Sequence, residues 1–66
     1  MQLIINGEQR KIDGVASVAE LIDKLMLDTR KIAIELNLEI VPRSCYAKTL
    51  LKNGDRLEVV EFIGGG

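Results

Sequence analysis

Apolar and polar residues alternate along several stretches of this chain and recur at helical spacing in one. Met1, Leu3 and Ile5 fall on one face of a strand over residues 2 to 5, with Gln2 and Ile4 on the other. Ile4 is thereby left apolar on the face away from the core. Asn6-Gly7 follows, the pair best suited to a type I′ turn because both central residues need positive φ, so a second strand over about Gln9 to Ile12 should pair back antiparallel. Asp13-Gly14 ends it. Ser17-Val18-Ala19-Glu20 is a capping box, and Val18, Leu21, Ile22 and Leu25 stand at i, i+3, i+4 and i+7. The spacing predicts one amphipathic helix to about Leu25 or Met26, with Glu20, Asp23 and Lys24 in solvent.

Alternation resumes from Lys31 to Asn37, with Ile32, Ile34 and Leu36 inward and Ala33 and Glu35 outward. Asn37-Leu38 is read as a tight turn into Glu39-Ile40-Val41, a short strand that Pro42 confines to an edge. Residues 43 to 52 carry no period; Tyr46 and either Leu50 or Leu51 are their core anchors. Lys52-Asn53-Gly54-Asp55 is a turn, with Asp55 bonding backbone N–H groups, before a last strand over Arg56 to Phe62.

That strand changes parity halfway. Leu57 and Val59 point inward, but Val60 and Phe62 fall on the opposite face, and Glu61 shares the inward one. A regular strand exposes Val60 and Phe62 beside Ile4; a bulge would instead return Val60 to the core. The regular reading gives an apolar cluster of Ile4, Val60 and Phe62, joined by Ile63, which we take as a partner surface. The expected architecture is α+β: a sheet of four to five strands with one helix on one face.

At 66 residues the chain is one domain, small enough that a deep pocket and a core cannot both be built. Nine basic against ten acidic residues, scattered, with 3% aromatic, leave no basic footprint or stacking platform for nucleic acid. A single cysteine, Cys45, excludes an internal disulfide, and with no histidine a zinc site is not expected. No basic, apolar leader or membrane-length run opens the sequence, so the expected compartment is the cytosol. Cys45 lacks a histidine to activate it and reads as structural. Arg43 either meets an acid on a partner or caps the irregular segment. Glu58 and Glu61 are expected on a solvated sheet surface with no pocket around them. No catalytic residue is expected.

The remaining chemistry is at the end of the sequence. Three of the six glycines are Gly64, Gly65 and Gly66, which divide the chain into a folded body, 1–63, and a tail, 64–66. Without side chains the tail is expected to be mobile, and over roughly 10 Å it fits a slot closed to other residues. The Gly66 carboxylate, ionised at neutral pH, is a nucleophile toward the α-phosphate of ATP. An acyl adenylate would result, and a second nucleophile displaces AMP from it. Glycines alone equally suit a frayed end or a linker.

Ile40-Val41-Pro42-Arg43, Tyr46-Ala47, Asn53-Gly54-Asp55-Arg56 and the terminal glycines, together with the order of elements, resemble the ubiquitin-like β-grasp sulfur carriers of thiamin thiazole synthesis, the ThiS family. The resemblance spans the whole chain. It implies that Gly66 is adenylated by an E1-like, ThiF-type enzyme using ATP, with Gly64 and Gly65 threading that enzyme's active site. It further implies conversion to a thiocarboxylate with sulfur mobilised by a cysteine desulfurase, and donation to the thiazole ring at a ThiG-type thiazole synthase. The chain itself binds no cofactor on this reading. Leu38, where the turn often carries glycine or a polar residue, and Cys45 depart from the family pattern. Alternatives are the small, MoaD-like subunit of molybdopterin synthase, a modifier joined to lysine, and a non-carrier β-grasp interaction module. An added residue after Gly66 would disable a carrier and leave a module unaffected.

Overall fold

The computed structural model describes residues 1–62. Five strands, β1 (Gln2–Ile5), β2 (Glu8–Lys11), β3 (Ile32–Leu36), β4 (Glu39–Val41) and β5 (Arg56–Glu61), form one sheet in the order β2-β1-β5-β3-β4. Helix α1 (Val18–Lys24) lies against one face. β1 and β5 run parallel at the centre and the other pairs are antiparallel, which makes the sheet mixed, as in a β-grasp domain.

Each element is anchored by the chemistry its sequence supplies. Asn6 and Gly7 have φ of 51° and 81°, giving the primed turn between β1 and β2. β2 starts one residue earlier than its pattern suggested, and its four residues are all exposed; Ile12, just past it, is the buried one. At α1 the Ser17 hydroxyl accepts from the Glu20 N–H, and the Glu20 carboxylate accepts from the Ser17 N–H, closing the capping box. The N–H groups of Val18 and Ala19 donate to the carbonyls of Thr49 and Tyr46, so the irregular segment ties down the start of the helix.

The C-terminus of α1 is a Schellman turn. Leu27 N–H reaches the Ile22 carbonyl at 3.1 Å, and Met26, where glycine is usual, adopts φ of 58°. The core between helix and sheet consists of Leu3, Ile5, Ile12, Val18, Leu21, Ile22, Ile32, Ile34, Val41, Tyr46, Leu51 and Leu57. Leu51, held by its N–H to the Ala16 carbonyl, turns inward and leaves Leu50 66% exposed. A short 3-10 turn, Thr29–Lys31, precedes β3 and another, Arg43–Cys45, follows Pro42. β4 is the sheet edge that Pro42 required.

Candidate functional site

β5 runs up the middle of the sheet with unbroken register against β3, from Leu57 opposite Leu36 to Glu61 opposite Ile32. No bulge intervenes. Val60 therefore stays on the face away from the helix, 55% exposed, opposite Ala33. One step beyond, the Phe62 N–H donates to the Lys31 carbonyl at 2.7 Å while its ring is 49% exposed. The ladder thus holds the strand to the last described residue.

β5 outlasts its parallel neighbour, and Asn6 covers the difference. As β1 turns away, the Asn6 amide takes the place of a peptide group: its oxygen accepts from Val59 N–H at 2.7 Å and its nitrogen donates to the Val59 carbonyl at 3.2 Å. The helix-facing side of this strand end opens into a groove of about 330 Å³ lined by Ile5, Asn6, Arg10, Leu25, Leu27, Val59 and Glu61. Glu61 therefore borders a groove shared with Arg10, which corrects the expectation that no pocket surrounds it. Glu58, on the opposite face, fits the expectation of an exposed sheet residue.

Ile4 needs a second correction. It shares a face with Val60 but is half-buried and pairs with Arg56, four residues back along β5, or about 13 Å at 3.3 Å per residue. The apolar surface at the strand end is instead made of Val60, Ala33 and Phe62. Parity along the strand had placed Ile4 on the right face but could not give its height, which depends on a register with a strand fifty residues away.

Elsewhere, Asp55 fixes its turn by accepting from the Lys52 N–H at 2.7 Å and also accepts from the Asn37 amide at 3.0 Å. Arg43 is exposed. Cys45 is half-buried, with its sulfur 4.0 Å from the Ser44 hydroxyl. Near the strand end, the hydrogen bonds from the Arg30 guanidinium and backbone lower Asp28 to about 2. Among the described residues no cluster of His, Cys, Asp or Glu gathers to hold a metal. No helix there is long and apolar enough to cross a membrane. Ile63, Gly64, Gly65 and Gly66 lie outside the described residues, as does the proposed boundary between body and tail. What the structure does place is the point from which they continue: the end of a central strand, flanked by an apolar surface on one face and a groove on the other.

A family model described as "ThiS family" matches residues 3–66. Along its full length the chain is 52% identical to a thiazole synthase of Paramagnetospirillum magneticum, of which it spans one fifth, 20%. It is 29% identical over 66 residues to the sulfur carrier protein ThiS of Escherichia coli, covering all of both. Among solved structures, that of a thiamine biosynthesis protein (ThiS) from Geobacter metallireducens superposes with a TM-score of 0.85 at 35% identity, again covering both chains entirely.

Proposed function

The chain belongs to the ThiS family, small sulfur carriers of thiamin biosynthesis with the ubiquitin-like β-grasp fold, and from that premise we propose that it carries sulfur as a thiocarboxylate on Gly66. The supporting observation is the position of β5: a central strand, hydrogen-bonded on both sides as far as Val59 and on the β3 side through Phe62, precedes the glycine sequence. A rigid base gives a partner a fixed direction from which to receive the carboxylate.

In the first step a Gly66 carboxylate oxygen attacks the α-phosphorus of ATP and pyrophosphate leaves. In the second the adenylate carbonyl is attacked by hydrosulfide, which is set free when a thiol reductant, itself oxidised to a disulfide, reduces the persulfide formed by a cysteine desulfurase. AMP departs with the carbonyl-bound oxygen of the old carboxylate, and one proton is released. The ATP belongs to a ThiF-type E1-like enzyme, and the chain contributes no catalytic side chain. Gly64 and Gly65 pass that enzyme's active-site slot. Val60, Phe62 and Ile63 meet its surface, and Ile4 stands on the same sheet face farther down. The thiocarboxylate then gives its sulfur to the thiazole ring at a ThiG-type synthase. A thiazole synthase one fifth of whose length is similar to this chain supports that destination over the molybdopterin pathway. This chemistry places the protein in the cytoplasm, where ATP and the desulfurase are available.

Pyrophosphate exchange into ATP, catalysed by the ThiF-type enzyme, tests the reading. It should require this chain with a free Gly66 carboxylate and vanish when one residue is added after Gly66. Exchange that persists with the added residue would overturn the assignment, and exchange only with a molybdopterin-pathway enzyme would move the chain to that pathway.

A further inference from the structure

Among the described residues no helix covers the face of the sheet away from α1, and its centre combines two features seldom left together. Glu35 on β3 and Glu58 on β5 stand directly opposite each other in the register. Hydrogen bonds at Lys31–Phe62 and Asn37–Arg56 share their parity, so the two glutamates form a hydrogen-bonded pair with Cβ atoms about 5 Å apart. Like charges in that position disfavour the sheet. Arg56 and Lys31 fall on the same face, yet among the described residues the only ion pairs join Met1 to Asp13 and Arg30 to Asp28. Both carboxylates are exposed, and no hydrogen bond to either is made by a described residue.

Apolar side chains frame this pair on the same face. Ile40, 76% exposed, stands opposite Glu35 on β4, and Val60 and Ala33 form the next row toward the strand end, with Phe62 beyond. The surface is therefore a pair of unneutralised carboxylates bordered by apolar groups, continuous with the strand-end surface assigned above to the activating enzyme. An arginine is the side chain that matches it, since its planar fork presents several donors to two neighbouring carboxylates while its stem and flanking residues cover the apolar border.

We propose that Glu35 and Glu58 together receive an arginine side chain of the adenylating enzyme, set among apolar residues that cover Ile40 and Val60. This rests on the carrier reading and adds the chemistry of the partner's contact. Electrostatic pairing of this kind also steers the encounter.

The test measures the equilibrium binding of the purified ThiF-type enzyme, with ATP and magnesium, to three chains: wild type, the Glu35→Gln/Glu58→Gln double variant, and Val60→Ser. Thermal unfolding of each chain is recorded alongside. Removing the like-charge pair should leave the unfolding temperature equal or higher and yet weaken binding by about tenfold or more. The dependence of binding on salt should shrink at the same time. A double variant that binds within about twofold of wild type, or keeps the wild-type salt dependence, overturns the proposal. If Val60→Ser weakens binding in that case, the strand-end surface stands and only the arginine contact fails. Wild type that the enzyme neither binds nor adenylates overturns the carrier reading along with it.

Discussion

Asn6 shows how much one side chain can do where a strand loses its neighbour. It takes positive φ for the turn and lends its amide as a substitute peptide to Val59. Asn6→Ala should lower stability by about 1 to 2 kcal/mol, measured by urea unfolding, because both Val59 groups lose their partner. Asn6→Asp should cost less than Asn6→Ala, as a carboxylate still accepts from the Val59 N–H. Only half of this role was legible in the sequence. Asn-Gly announces a turn, but the bond to Val59 spans fifty-three residues and depends on β1 and β5 being parallel neighbours.

Leu38 poses the opposite case. With φ of 73° and 84% exposure it sits in the left-handed region without core contacts to compensate. Leu38→Gly should raise stability by about 0.5 to 1 kcal/mol in the same unfolding experiment, relief of Cβ strain exceeding the added entropy of the unfolded chain. A fall in stability would show that the leucine contributes more than its exposed position indicates.

At the scale of elements, sequence periods served well where one face is buried and local chemistry marks the ends. The capping box at Ser17 and Glu20, the stripe on α1, and the alternation of β3 all appear as read. Ser17→Ala should cost about 1 kcal/mol, since it removes the acceptor for the Glu20 N–H. Legibility ended where adjacent residues are chemically alike or where several elements converge. Leu50 and Leu51 are indistinguishable by type; the backbone pairing around Ala16 and Ser17 decides between them. The groove collects Arg10, Leu25 and Glu61 from three separate elements, and no local pattern connects them. For β5 the alternatives were a bulge or a regular strand, and continuous pairing with β3 settles the matter.

The 3-10 turn before β3 carries a pH dependence of its own. Asp28 is lowered from 3.8 to about 2 by Arg30, chiefly through the side-chain hydrogen bond. A depressed carboxylate contributes stability that is fully present above its unfolded value and is lost as pH falls through the folded one. The difference in unfolding temperature between wild type and Asp28→Asn should thus hold steady above about pH 5 and shrink between pH 4 and pH 2. A difference that instead grows on acidification would contradict the Arg30 pairing.

For the whole molecule, stability and function are assigned to separate parts. A domain of this size has only about 3 to 10 kcal/mol to lose. The fully buried Leu57 lies within four residues of the strand end, so Leu57→Ala, at about 2 to 5 kcal/mol, should compromise the fold and the base of the tail together. The described body is assigned no catalytic group. What it supplies is a central strand held by its neighbours, and the proposal assigns the reactive atom to Gly66.

The intact mass of the chain after incubation with ATP, the ThiF-type enzyme and a sulfur source measures that claim most directly. The account predicts a gain equal to one oxygen replaced by one sulfur, localised to Gly66 and absent when ATP is omitted. An unchanged mass with active enzyme, or sulfur found on Cys45 instead, would contradict it.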